Sequence, residues 1–425
     1  MKILEIVNSI PPTKLSADNA RKGCSGYDII TYEIASRLGK FETNEVYMHT
    51  LVQFHKEKEQ DNIIIFSNSM TKVLTSFHLL LSLKTLWRLR KFWSFNKRDL
   101  RKILFVSATA GYISKLIRVY KPDIIHNHGC SYLIELLRIL KEQYKIPIVV
   151  SLHGLISFGG KDGFGVENAT LKHKQYERYV ISRAQKIGEI VTFVSTGCIH
   201  QLQKWLSTDN TPTFITTLNG CELNSFSQEK INIRKIYGLS EDSKILLYVG
   251  NISEHKNQQV ILKALPLLPV SLRNNCYVLF LGGVQASYKV EWDNILSNSN
   301  CQSQIIQCGF VAKELLDNYF EQANGVLLLS LSEGFGLSII EGMSHGLPSL
   351  ISENMDIVPD VKDTGAIILT DQYSPENVAI GIEHLLTYKW DGEEIKKQSS
   401  RFSMERMAES YNKVLYKVVN NRIKE

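Results

Sequence analysis

Apolar residues along this chain fall in short unbroken blocks, and most blocks are followed by a stretch with apolar positions at helical spacing. In the first half the blocks predict strands over Lys2–Asn8, Asp123–His128, Ile146–His153, Glu189–Ser195 and Thr213–Leu218. Helical periodicity predicts helices over Tyr27–Leu38, Tyr132–Gln143, Ala169–Arg183 and Cys198–Leu206. The pattern restarts at Lys244–Val249. Strands follow at Tyr277–Leu281, Gln304–Gln307, Gly325–Leu329, Pro348–Ile351 and Ala366–Leu369. Helices are predicted over Gln258–Leu265, Lys313–Gln322, Leu337–His345, Pro375–Leu386 and Met404–Val418. The interval Val46–Ala110 reads as one or two strands plus basic helices. Strands that are apolar throughout suit a sheet covered on both faces, and alternation with helices suits parallel pairing. The expected fold class is therefore α/β, with two Rossmann-like doubly wound domains facing a cleft. Residues 1–218 form the first domain and 219–400 the second. A last segment, 401–425, is expected to cross back to the first.

A length of 425 residues agrees with two domains, and 44% hydrophobic with 22% charged residues describes an ordinary globular chain. The seven cysteines are scattered and form no C-x-x-C pair. That points to reduced thiols in a cytoplasmic setting, without a disulfide framework or a zinc site. The chain opens directly on a strand, so no leader is expected, and no apolar run is long enough to cross a bilayer. Charge is unevenly placed. Between Lys72 and Lys102 nine basic residues stand against one acid, Asp99, interleaved with Trp87, Trp93 and several leucines and phenylalanines. Such a stretch suits peripheral contact with an anionic membrane surface, here the inner face of the plasma membrane. A merely solvated basic face is the alternative, and nucleic acid is not expected as a partner.

The most informative local pattern is Glu333-Gly334-Phe335-Gly336-Leu337-Ser338-Ile339-Ile340-Glu341. It joins a predicted strand to a predicted helix, the kind of junction at which open α/β sheets bind ligands. Glycines let backbone approach a ligand, and a helix start presents free N–H groups to a phosphate. Carboxylates accept hydrogen bonds from vicinal hydroxyls, so Glu333 and Glu341 suit sugar rings and can grip opposite ends of one elongated ligand. By itself the motif also describes a strand–turn–helix with a solvated glutamate at each end. The run Val249-Gly250-Asn251 with Lys256 places a cation before a helix, where it can meet a diphosphate. The letters His126-Asn127-His128 end a predicted parallel strand. That argues against a nuclease motif and for satisfied structural histidines.

Taken in order, these motifs resemble the retaining glycosyltransferases of the GT-B fold that carry an E-x7-E signature. The order is a glycine loop ending at Gly26, then Pro122–His128, Ser151-Leu152-His153-Gly154, and Leu218-Asn219-Gly220. Val249-Gly250 with Lys256, Cys308-Gly309-Phe310-Val311, the Glu333–Glu341 motif and Arg401-Phe402-Ser403-Met404 follow. The resemblance covers nearly the whole chain and is weakest from Val46 to Ala110. It implies a metal-independent hexosyltransferase without a cofactor. Its partners would be a nucleotide-sugar donor, for which a UDP-hexose is preferred, and a saccharide acceptor, lipid-linked in polysaccharide assembly. In this resemblance Glu333 holds hydroxyls of the donor sugar and Glu341 the ribose. Phe335, Gly336, Leu337, Gly250 and Lys256 meet the diphosphate, and Gly26 closes on it. His153 contacts the donor sugar, and Phe310 and Val311 flank the base. One position departs from the pattern: Asn251 stands where the family usually has arginine, so one of two phosphate-facing cations is missing. A soluble protein or sugar acceptor, or a non-catalytic nucleotide-sugar-binding subunit, would carry the same motifs.

Overall fold

A computed structural model describes residues 1–8, 26–51, 58–67, 87, 90, 97–155, 171–223 and 229–423. The Ser9–Gly26 loop up to Ser25, the Ile156–Asn168 loop and most of the Lys72–Lys102 stretch lie outside the described residues. Within that stretch Trp87 is 67% exposed, and the Arg90 guanidinium sits 3.8 Å from its ring centroid.

The first sheet contains β1 (Lys2–Val7), β2 (Glu45–Thr50), β3 (Lys58–Gln60), β4 (Ile63–Ser67), β5 (Ile124–His128), β6 (Ile148–Leu152), β7 (Ile190–Phe193) and β8 (Phe214–Thr216). Their spatial order is β3-β4-β2-β1-β5-β6-β7-β8. Every neighbouring pair is parallel except β3 with β4. Helices α1 (Gly26–Leu38), α2 (Lys97–Tyr120), α3 (Leu133–Tyr144), α4 (Leu171–Lys186) and α5 (Thr196–Leu206) connect them. The second sheet contains β9 (Lys244–Val249), β10 (Cys276–Leu281), β11 (Ile305–Gly309), β12 (Gly325–Leu328), β13 (Ser349–Ser352) and β14 (Ile367–Thr370). Its order is β11-β10-β9-β12-β13-β14, parallel throughout. Its longer helices are α6 (Gln259–Ala264), α7 (Lys289–Ser297), α8 (Lys313–Glu321), α9 (Leu337–Ser344), α10 (Pro375–Thr387) and α11 (Gly392–Ser399). A final helix, α12 (Met404–Ile423), ends the described chain. Strands β5 and β6 are buried at every residue, as the unbroken apolar blocks predict for sheets covered on both faces.

The sequence pattern predicts no helix at α7 or α11 and places only basic helices within Val46–Ala110, short of the Tyr120 end of α2; each difference has a physical reason. The middle of α2 is Ser107-Ala108-Thr109-Ala110-Gly111, small residues that blur the 3.6-residue period. Helices α7 and α11 are mostly polar and anchor through Trp292 with Leu296 and through Ile395 with Ser399.

Strand order reverses between β1 and β5 in the first sheet and between β9 and β12 in the second. Loops leaving the carboxyl ends at such a reversal diverge and open a crevice. The two crevices face each other. Across them Gly334 lies so close to the first domain that a Cβ there would come 3.1 Å from the His153 carbonyl oxygen. Beside the cleft, Gly197 N–H donates to Asp356 O at 3.0 Å and Thr196 N–H to Asp360 Oδ2 at 2.8 Å. A carboxylate from the second domain thus sits at the start of α5, where the helix dipole favours it. Helix α12 packs back on the first domain. Its Met407, Tyr411, Val414 and Leu415 share a buried cluster with Ile3, Ile30 and Ile34.

Candidate active site

The cleft encloses about 550 Å³ and is walled by both domains. That volume lies within the roughly 300–1,000 Å³ usual for small-molecule sites. The second-domain wall is built from one strand–loop–helix junction. Strand β12 delivers the chain to Glu333, Gly334 and Phe335, and α9 leaves from Gly336. Gly336 has φ +80°, and a Cβ there would lie 2.7 Å from Leu328 Cδ2. The glycine is therefore required by the turn and by the packing beneath it. No side chain caps α9, and Leu337 and Ser338 line the cleft, so the helix start is open to an anion.

Lys256 reaches the same place from the turn after β9. Gly250, at φ +142°, holds a backbone conformation that favours glycine and lies beside the Lys256 stem. The Lys256 ammonium pairs with Glu333 Oε2, and both side chains are largely buried. Lys256 is the only lysine or arginine lining the cleft among the described residues. Glu341, one turn into α9, occupies the far end. Desolvation pushes its carboxyl up to about 7; Lys313 pulls it down and Asp317 pushes it further up. Asp356 also lines the cleft. Burial raises it to about 7, opposed by its hydrogen bond with Cys198 and assisted by the charge of Glu333.

The first-domain wall is assembled from separate strands. His153 follows β6 and lines the cleft, and the Tyr27 ring meets its edge at a centroid distance of 5.2 Å. Behind it stand His128, His126 and Glu5. His128 Nδ1 lies 2.9 Å from His153 Nε2, and His128 Nε2 lies 2.9 Å from Glu5 Oε2. His126 Nδ1 lies 2.9 Å from Glu5 Oε1, and its Nε2 lies 2.6 Å from Ser151 Oγ. The register explains the meeting, since Glu5 on β1 is opposite His126 on β5. Burial pushes the Glu5 carboxyl upward, but the neighbouring His126 and His128 outweigh it and hold it down at about 2. Burial, with the charge of His126, holds His128 down at about 4; burial and both histidines hold His153 well below its usual value. Glu5, His126 and His128 offer three ligand atoms within 4.8 Å of one another. Those atoms are already spent on each other as hydrogen bonds, so the group reads as a polar cluster.

The structure thus brings Glu333, Lys256, Phe335, Gly336, Leu337, Glu341 and His153 to one cleft. It does not bring Gly250, Asn251, Phe310 or Val311 into the lining. Gly26 opens α1 next to Tyr27. Gly250 lies beside Lys256, outside the lining. Asn251 is exposed, its Oδ1 accepting from Gly283 N–H at 3.3 Å. Phe310 follows β11 at the sheet edge, 38% exposed, and Val311 packs against the core around Ile233 and Leu281. Several lining residues lie outside the sequence-predicted set, Tyr27, Asn219 and Asp356 among them. Tyr27 neighbours the glycine loop, and Asn219 lies in the quoted Leu218-Asn219-Gly220 run. Asn219 is buried, and its Oδ1 has no partner among the described residues. Asp356 had no signal, because its loop is separated from the motif by all of α9 and β13.

Solved structures place this architecture. Sucrose-phosphate synthase from Thermosynechococcus elongatus superposes with a TM-score of 0.76 at 16% identity, over 99% of this chain and 100% of that one. Anabaena HepE, solved in complex with UDP and glucose, superposes with a TM-score of 0.66 at 14% identity, over 98% and 100%. The fold is GT-B, two parallel α/β domains across a cleft. The family model described as glycosyl transferases group 1 matches residues 229–402, and that of glycosyltransferase family 4 matches residues 45–215. The chain belongs to the group 1 glycosyltransferases. Among curated relatives, an uncharacterized glycosyltransferase of Methanocaldococcus jannaschii is 24% identical over 39% of this chain and 42% of its own length. The O-antigen chain mannosyltransferase B of Escherichia coli is 31% identical over 29% of this chain and 32% of its own length. The chain therefore spans less than half the length of either relative.

Proposed function

We propose that the protein is a retaining glycosyltransferase that moves a hexosyl unit from a nucleotide-sugar, a UDP-hexose, to a saccharide acceptor. One observation carries this reading: Lys256 and Glu333 meet beside the uncapped start of α9, at the switch point and opposite His153. The anomeric carbon–phosphate bond breaks through an oxocarbenium-like transition state, and negative charge gathers on the leaving diphosphate. Lys256 and the α9 N–H groups stabilise that charge more than they stabilise the bound donor. Without substrate Lys256 pairs with Glu333; with it, Lys256 turns to the diphosphate and Glu333 to the sugar hydroxyls. The acceptor oxygen forms the new bond on the same face, and its proton passes to the departing phosphate oxygen. In this reading Lys256 and the helix start do the work of a metal, so turnover withstands chelators. Glu341 accepts the ribose hydroxyls. Anabaena HepE with UDP and glucose supports the choice of donor.

The acceptor is proposed to be a lipid-linked saccharide, in keeping with the basic, Trp-bearing Lys72–Lys102 stretch and with the O-antigen relative. Thermal stabilisation by a panel of UDP- and GDP-sugars tests the donor, because a ligand that binds only the native state raises its stability. NMR of the product anomer tests retention. Stabilisation without any transfer or donor hydrolysis would favour a binding subunit, the reading that Asn251 in place of the usual arginine supports. No stabilisation by any nucleotide-sugar would sink the proposal.

A further inference from the structure

The four groups behind the first-domain wall form one line: Glu5, His128 and His153 in sequence, with His126 bracing Glu5 from the side. Glu5 and His126 are fully buried and His128 is 4% exposed, so solvent does not choose their protons. An ionised carboxylate only accepts hydrogen bonds. Both ring nitrogens that face Glu5, His126 Nδ1 and His128 Nε2, must then carry hydrogen. A neutral His128 with hydrogen on Nε2 has a bare lone pair on Nδ1. The nitrogen 2.9 Å from it, His153 Nε2, must donate. His153 is neutral in turn, so its Nδ1 is bare. That Nδ1 is shielded from solvent and has no hydrogen-bond partner among the described residues, while the His153 side chain lines the cleft. Burial in this histidine-rich pocket disfavours a second proton on either His128 or His153, which keeps the alternating pattern intact.

We propose that Glu5 and His128 are positioning residues that fix His153 as its Nε2–H tautomer and leave Nδ1 to accept a hydrogen bond from a hydroxyl of the bound sugar. The wall is thereby committed to ligands that donate. A hydroxyl satisfies it, whereas a carbonyl or ether oxygen in the same place faces a lone pair and is rejected. His126 completes the device from behind. Its Nδ1–H occupies the second Glu5 oxygen, and its bare Nε2 accepts from Ser151, whose hydroxyl lies 2.5 Å from that of Thr192. The polar atoms of the line are therefore paired up to His153 Nδ1, which awaits the ligand. The same three imidazole rings and carboxylate would be wasted on mere packing. An apolar trio of similar volume would fill the space without the desolvation cost.

The inference rests on the glycosyltransferase reading for the identity of the hydroxyl, but its structural half is measured without substrate. Nitrogen-15 NMR of the histidine-labelled protein, with the His153 signals identified by their loss in His153→Ala, reads the tautomer directly. The expected result is a protonated Nε2 and an unprotonated Nδ1. A protonated Nδ1 in the wild-type protein overturns the proposal whatever the activity. The kinetic half uses two variants. His128→Phe keeps a ring but removes the acceptor, and His128→Asn keeps an acceptor oxygen near the position of Nδ1. The Phe variant should lose about tenfold to a hundredfold in kcat, the worth of one buried hydrogen bond, with UDP affinity unchanged. The Asn variant should recover most of the loss and the wild-type tautomer. In a His153→Ala background, His128→Phe should cost nothing more, because His128 acts only through His153. Independent, multiplying losses would assign His128 a separate role and overturn the relay. If wild-type protein turns over no donor while the tautomer is as stated, the functional reading fails and the wiring stands.

Discussion

The two walls of the cleft solve the same problem by opposite means. The second-domain wall draws Glu333, Gly336, Leu337 and Glu341 from nine consecutive residues at one switch point, with Lys256 added from the neighbouring strand end. Its charges are paired but reachable, so they can be handed to a ligand. The first-domain wall draws Glu5, His126, His128 and His153 from three strands, and only the last faces the cleft. Its polar groups are buried and committed to one another. A wall of reachable charges can follow charge as it develops on a leaving group. A wall of fixed hydrogen bonds can only accept or refuse a shape. The comparison assigns chemistry to the second domain and discrimination to the first.

The largest expected effect breaks or confirms that division. Glu333→Gln should lower kcat by about 10²–10³, the usual cost of losing one preorganised electrostatic contact in the transition state. UDP itself should bind about as well as before, because Glu333 is assigned to the sugar. Lys256→Met should lower kcat by a similar factor and also weaken UDP. If His153→Ala proved more damaging than either in a kcat comparison, the division would be reversed. Calorimetry with UDP alongside steady-state kinetics separates these outcomes.

How far each wall was legible follows from the same contrast. Glu333 and Glu341 could be read from a line of text because a helix start needs only local residues. The parallel α/β architecture could be read as well, since buried strands are apolar without interruption and the helices between them are periodic. Glu5 could not be read as part of the site, because its partners are more than a hundred residues away and only strand register brings them together. A signal did exist. A glutamate inside Lys2–Val7, a strand expected to be covered on both faces, demands a partner, and His126 and His128 share one face of theirs. Asp356 had no such flag. The role first read for Gly334 and Gly336, close approach to a ligand, is also incomplete: one makes room for the opposite domain and the other for its own core.

Of intermediate size is the effect of pH on the second-domain wall. Glu341 lies near 7 in the folded protein against 4.5 for the free group, because its end of the cleft is desolvated. Only the ionised form accepts both ribose hydroxyls. UDP affinity should therefore rise about tenfold from pH 6 to pH 8, with release of a proton, as the carboxyl ionises. Glu341→Gln should flatten that profile. Stability has the opposite sign. Between pH 4.5 and 7 the folded protein holds a proton that the unfolded chain has lost, so the contribution of this group is fully present below 4.5 and lost as pH rises through 7. Thermal unfolding of the ligand-free protein should show that decline, reduced in the Gln variant and retained in part through Asp356, whose shift has the same direction.

The smallest effect separates the walls geometrically, through two glycines two residues apart. At Gly334 a Cβ would stand 3.1 Å from His153 O and 3.2 Å from Gly154 Cα, both in the opposite domain. Gly334→Ala therefore requires the walls to part by a few tenths of an ångström, which is enough to loosen closure without touching either core. Its expected cost is about threefold in kcat/KM, with stability changed by less than about 0.5 kcal/mol, as for substitutions outside the core. At Gly336 the obstacle is internal. A Cβ would meet Leu328 Cδ2 at 2.7 Å, and the residue sits at φ +80°. Gly336→Ala should cost about 1–3 kcal/mol of stability from backbone strain alone, seen in denaturant unfolding. If Gly334→Ala instead lowered stability and left kcat/KM untouched, the approach of the two walls would be a packing contact and closure would have to be set elsewhere. The clasp of Asp356 and Asp360 on the start of α5 is the next place to look.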